Sequence, residues 1–148
     1  MPSYKTHDKI AYISVVPISL LTAYTLSLSI PDTFLFAGGF ILTNYYLSPD
    51  LDTYSIMVRR WGFLYPLWIP YRHAIKHRSL FSHSGPLSAL IRLTYITIPL
   101  SLIGLLVNIS LFFMAIESHA FLLFILSAIF SDTLHTLTDK IWSKIHAR

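Results

Sequence analysis

Histidine and aspartate recur along this chain in pairs whose spacing suits a metal ion. In FSDTLHTLTDKIW, residues 130–142, His135 and Asp139 stand four apart. On a helix they share one face and can chelate a single divalent cation. Asp132 lies close to the same face and has two readings, a third ligand or the partner of a loop arginine. SPDLD carries Asp50 and Asp52. Two residues apart, they cannot share a helix face, but an extended turn after Pro49 can aim both at one ion. Asp50 is then either a further ligand or the base that orients a water. RHAIKHRSLFSHSG adds His77 and His83, with Arg78 next to His77. His73 in the same stretch is assigned to the basic surface. His7 and Asp8 precede the first apolar run, where a polar N-terminus is also ordinary. The chain has no cysteine, which excludes disulfides and thiolate metal sites and leaves imidazole and carboxylate as donors. Such donors suit Zn²⁺, with Mn²⁺ or Fe²⁺ as alternatives, as one ion or two.

The elements that must position these groups are apolar. Of 148 residues, 54% are apolar and 12% charged, about half the charge of an ordinary soluble domain. The chain therefore reads as one all-α membrane domain over residues 1–148, a small polytopic bundle with about four spans. The first apolar run, 10–30, covers about 31 Å as a helix, one hydrocarbon thickness. Pro17 should kink it, and no small-x-small cleavage motif follows, so it reads as an uncleaved anchor. Asp32 is the expected N-cap of a shorter second run, 33–47, in which Gly38 and Gly39 allow a neighbouring helix to approach. A third run covers 87–116, ESH at 117–119 is the expected turn, and a fourth helix starts near Ala120.

Four spans place the N-terminus, the 48–86 loop and the C-terminus on one side, and all eleven Lys and Arg residues fall on or toward it. The positive-inside rule makes that side cytoplasmic, which predicts a multi-pass inner-membrane protein with both termini in the cytoplasm. The aromatic stretch WGFLYPLWIPY, 61–71, reads as an interfacial belt within the loop. The same topology gathers the acids and histidines of four distant segments into one layer. Clustered carboxylates near hydrocarbon are costly unless paired or metal-bound, so a cation-binding layer is the economical reading.

MPSYKTHDKI, SPDLD, RRWGFLYPLWIPYRHAIKHRSLFSHSGPL and LHTLTD together resemble a family of small bacterial proteins described as metal-binding, the domain of unknown function 2227. More loosely, the arrangement resembles the membrane-bound metal-dependent hydrolases, which share an N-terminal histidine, P-D-x-D, H-R-x-x-x-x-H and a final H-x-x-x-D. More weakly still, it resembles the zinc-dependent phospholipase C fold. The resemblance implies metal ligation by His7, Asp52, His77, His83, His135 and Asp139, with Asp50 beside them. The lipid-phosphatase pattern is absent, because SHSG at 82–85 has the wrong order and no S-R precedes His135.

These readings converge on a metal-dependent hydrolase acting on a phosphoester of a lipid or amphipathic substrate. Asp50 and Arg78 would be its catalytic groups, Arg78 neutralising charge on the phosphoryl group. The bilayer is the expected partner, a phospholipid the possible substrate, and no nucleic acid is expected. Two rival classes are a metal carrier or sensor without catalysis, and a structural membrane protein whose polar groups form a hydrogen-bonded network.

Overall fold

The computed structural model describes residues 2–107 and 119–146. Among these the chain is helical throughout, with no strand. Helix α1 spans Tyr4–Leu26. Its start lies upstream of the apolar run because Ser3 caps it, accepting from the backbone N–H of Thr6 at 3.3 Å. That cap draws His7 and Asp8 into the helix. Pro17 is inside α1. After a left-handed Ser27, α2 runs Ile30–Tyr46. Ser29, not the expected Asp32, is its N-cap. Ser29 accepts from the Asp32 N–H at 3.3 Å, and its hydroxyl donates to the Asp32 carboxylate at 2.7 Å.

A chain of short elements follows: a 3₁₀ turn at Pro49–Asp52, α3 at Ile56–Arg59, a second 3₁₀ segment at Gly62–Leu67, α4 at Trp68–Ala74 and α5 at Leu80–His83. Helix α6 covers Pro86–Val107 and α7 covers His119–Ile145. Residues 108–116 of the expected third run, and Glu117 and Ser118 of the expected turn, lie outside the described residues; His119 is already helical.

Helices α1 and α2 form an antiparallel hairpin, and α2 packs most extensively on α7, which in turn packs on α6. Phe36, Phe40 and Ala11 bury one seam against Leu126 and Leu134. Ala89, Leu93 and Ala128 bury another. His119 Nε2 meets Asp32 Oδ1 at 3.2 Å, so α2 and α7 start at the same end of the bundle and run toward the other.

Three helical stretches, Tyr4–Leu26, Pro86–Gly104 and His119–Ile145, are long and apolar enough to cross a membrane. The outer face of α1 exposes Ile13, Val16, Leu20, Leu21 and Tyr24, an apolar surface that suits lipid. At 17 residues, α2 rises only about 26 Å, short of a full hydrocarbon core.

The two glycines of α2 differ. A methyl group on Gly39 would collide with the Ser127 hydroxyl and meet Phe124 at 3.1 Å, whereas one on Gly38 meets nothing within 4 Å. Only Gly39 lets α7 close on α2. Gly38→Ala should therefore gain up to ~1 kcal/mol from helix propensity. Gly39→Ala should lose a net ~1–2 kcal/mol through overpacking. Thermal unfolding in detergent reads the difference, and equal midpoints for the two variants would contradict the assignment.

Candidate metal centre

The PDLD turn is positioned by its middle residue. Leu51 is fully buried with Met57, Val58, Trp68, Tyr71 and Ile96. With Leu51 inside that cluster, Asp50 and Asp52 address two edges of the same histidine. The turn is 3₁₀ and capped by Ser48, not extended. The aromatic stretch is accordingly only partly a belt. Phe63 is exposed, but Trp68 and Tyr71 are core residues, because the prolines of this stretch fold it back onto α6 instead of letting it lie flat.

His83, the last residue of α5, stands between the two aspartates. Its Nε2 is 3.7 Å from Asp50 Oδ1, and its Nδ1 is 3.5 Å from Asp52 Oδ2 and 3.0 Å from the Ser82 hydroxyl. His77 Nδ1 lies 2.9 Å from Asp52 Oδ1. From α7, His135 Nε2 lies 3.8 Å from Asp50 Oδ1 and 3.7 Å from Asp139 Oδ2. Asp139 Oδ2 is in turn 3.8 Å from His83 Nε2.

Four ligand atoms, from Asp50, His83, His135 and Asp139, thus form a closed ring with every edge at 3.7–3.8 Å. A tetrahedral ion with N and O ligands at about 2.0–2.2 Å holds those atoms about 3.3–3.6 Å apart; the four edges exceed that by a few tenths of an ångström, with Asp50, His83 and His135 in one possible ligand group and Asp139 in a second that it shares with His135 and His7. The other oxygen of Asp139 faces a different partner, His7 Nε2 at 3.2 Å, while the His7 ring stacks on His135 with centroids 3.8 Å apart.

The ring atoms are poorly satisfied by protein alone. His83 Nε2, His135 Nε2 and both Asp139 oxygens are buried without a hydrogen-bond partner among the described residues, as are His7 Nδ1 and Asp52 Oδ2. Buried polar atoms are rarely left so. A cation would give these nitrogens and oxygens a common partner. Burial alone would raise the Asp50 carboxyl, but His83 and the charges of His135 and His7 outweigh it and hold the group down to about 2. Asp50 is thereby kept in the ionised form a metal needs. The residues fit a divalent ion.

All of His7, Asp50, Asp52, His77, His83, His135 and Asp139 fall into three overlapping groups of possible ligands. Arg78 is not within them. It is exposed, with a left-handed backbone at φ 58°. It lines a cleft of about 240 Å³ with His83, Thr136, Asp139, Lys140 and Ser143. Thr136 and Lys140 were not singled out from sequence, although at a spacing of four they share a helical stripe next to that of Asp139. Two larger apolar grooves, of about 470 and 540 Å³, carry none of the ligand residues.

The remaining polar groups are structural. Asp132 pairs with Arg92, an arginine of α6 and not of the loop, and accepts from the Ser88 hydroxyl at 2.9 Å. Asp8 accepts from Arg60 and from the Asn44 amide. Arg60 also donates to the carbonyl of Tyr45 and lies over its ring. An arginine six residues into an apolar helix was the available signal for the first of these pairs.

An all-helical chain with apolar helices of membrane-spanning length and a buried histidine–aspartate ring defines a membrane-type metal-binding protein. The comparisons agree with that class. The chain belongs to the family described as uncharacterized metal-binding protein, DUF2227, which it matches over residues 2–148. It is also similar to an uncharacterized protein of Aquifex aeolicus (strain VF5), with 39% identity over 62 residues, 41% of this chain and 43% of that protein. The chain therefore spans less than half the length of this relative. No solved structure matches.

Proposed function

We propose that this protein is a metal-dependent hydrolase of the inner membrane, cutting a phosphoester of a lipid or amphipathic substrate on the cytoplasmic side. The observation that carries the reading is the ring of Asp50, His83, His135 and Asp139, three of whose four atoms are buried without a partner. These residues would hold the ion, most suitably Zn²⁺ given two imidazoles and two carboxylates. When bound, such an ion supplies Lewis acidity and an acidified water. His7 lies against the second oxygen of Asp139, and Asp52 with His77 forms the adjoining group. Both are placed to complete a second site or to orient the first.

Asp52, between His77 and His83, has the position of a carboxylate that fixes a ligand histidine's ring and tautomer. Asp50 then acts as a ligand, and Arg78 at the cleft neutralises phosphoryl charge. All eleven basic residues lie toward the side of the ring in the four-span reading, which favours a cytoplasmic centre.

Elemental analysis of detergent-extracted protein tests the first half of this reading. At least one divalent transition metal per chain is expected in wild type, and a chain free of metal would favour the structural rival. Incubation with a mixed lipid extract, followed by mass spectrometry, tests the second half. Loss of a phosphoester should require His135, and products formed equally by His135→Ala would end the hydrolase assignment.

A further inference from the structure

The cleft beside the ring is lined by polar and charged side chains, and its two cations have no acidic partner among the described residues. Asp8, Asp32 and Asp132 are taken up by Arg60, His119 and Arg92, and Asp50, Asp52 and Asp139 by histidines. Arg78 and Lys140 make no ion pair with any described residue. Yet both line the cleft over His83 and Asp139, Arg78 from the His77–Ser79 turn and Lys140 from α7. Thr136 lies one helical turn before Lys140 on the same stripe. It lines this cleft and is only 6% exposed, and its buried hydroxyl has no hydrogen-bond partner among the described residues. A buried unsatisfied donor in the lining of a cleft that also holds two unpaired cations is costly in isolation and well suited to an anion.

We infer that Arg78, Lys140 and Thr136 form an anion mouth that receives the phosphoryl group of the substrate from the aqueous side and presents it to the ring. The inference rests on the metal-centre reading but not on turnover. Lys140 and Thr136 are positioning residues. Lys140 supplies a point charge at the rim, and the Thr136 O–H donates at the depth of Asp139. At about 240 Å³ the cleft has room for a phosphoryl group and a small attached group, and is smaller than a pocket for a drug-sized ligand. Either a soluble phosphomonoester or a lipid headgroup presents that chemistry.

Calorimetric titration of the zinc-loaded, detergent-solubilised full chain decides the matter, with inorganic phosphate and short-chain phosphatidic acid as the two probes. Wild type should bind phosphate. Lys140→Gln and Arg78→Gln should each weaken it about tenfold or more, and Thr136→Val to a lesser extent, with zinc content per chain unchanged. Phosphatidic acid bound more tightly than phosphate, and weakened by the same substitutions, identifies a lipid headgroup; equal affinities identify a soluble phosphoester. Both support the anion mouth. Phosphate affinities in Lys140→Gln and Arg78→Gln equal to wild type, or no binding of either probe by zinc-loaded protein, would overturn it. Because binding is read without turnover, failure of the hydrolase assignment leaves this result interpretable. Conversely, wild-type hydrolysis with unchanged phosphate binding in the variants removes the mouth alone.

Discussion

Replacing Asp139 by alanine should leave the purified protein with less than about one-tenth of the wild-type metal. Asp139 is the residue with most to lose because its two oxygens serve different partners. Oδ2 closes the ring with His83 and His135, and Oδ1 faces His7. Loss of an outer-shell partner typically costs 10–100-fold in metal affinity, and loss of a direct ligand from a four-atom ring should exceed that. Asp52→Asn gives the internal comparison. If Asp52 orients His83 and His77 without binding the ring ion, its replacement should fall within the ~10–100-fold range, with metal still present at saturating concentration. The measurement is metal per chain after dialysis against a graded series of zinc buffers. Asp139→Ala that retains stoichiometric metal, or Asp52→Asn that loses it as completely, would reverse the assigned roles. Chelation should also lower the thermal midpoint of wild type, since an ion bound only by the folded chain stabilises it by mass action. It should have little effect on Asp139→Ala.

The second large effect concerns Arg92 and Asp132, which are buried and lie away from the ring. Arg92 donates to Asp132, to the carbonyl of Leu47 at 2.9 Å and to the carbonyl of Ser82 at 3.3 Å. It thereby ties α6 to α7 and to the two segments that carry Asp50 and His83. Removing one partner of a buried pair strands the other charge and costs ~3–5 kcal/mol, whereas replacing both by apolar groups is often far milder. Arg92→Leu and Asp132→Leu are each expected to lose stability in that range. The double variant should recover much of it, as read by denaturant unfolding in micelles. Arg92→Leu should additionally reduce metal retention, because the Leu47 and Ser82 carbonyls that it holds are one to three residues from Asp50 and His83. Single variants within ~1 kcal/mol of wild type would show that the pair is solvated and not structural.

The chemistry of the centre was legible in one dimension because helical spacing and composition fix it locally. His135 and Asp139 must share a face at a spacing of four, and a cysteine-free chain can offer only imidazole and carboxylate. The convergence of His7, the PDLD turn, His77, His83 and α7 was legible too, because apolar runs of span length leave the polar ends few places to go. Local signals failed where tertiary packing set the outcome. At Asp32 the difference is one of local register and not of packing, since the Ser29 hydroxyl sits where the backbone N–H of Asp32 points. Gly38 and Gly39 read alike, and only contact with Ser127 and Phe124 separates them. Trp68 and Tyr71 have the composition of an interfacial belt, but the core around Leu51 takes them in. Apart from the His135–Asp139 pair, which aspartate partners which histidine atom depends on distances between segments 25 or more residues apart in the chain, and no local periodicity carries that. Residue types and span lengths determined that histidines and aspartates from distant segments meet in one layer that could hold a metal. The burial of Leu51, the closeness of α2 to α7 at Gly39 and the Arg92 anchor decided its arrangement, because a coordination ring is set by contacts of a few ångströms that only the packed core can fix.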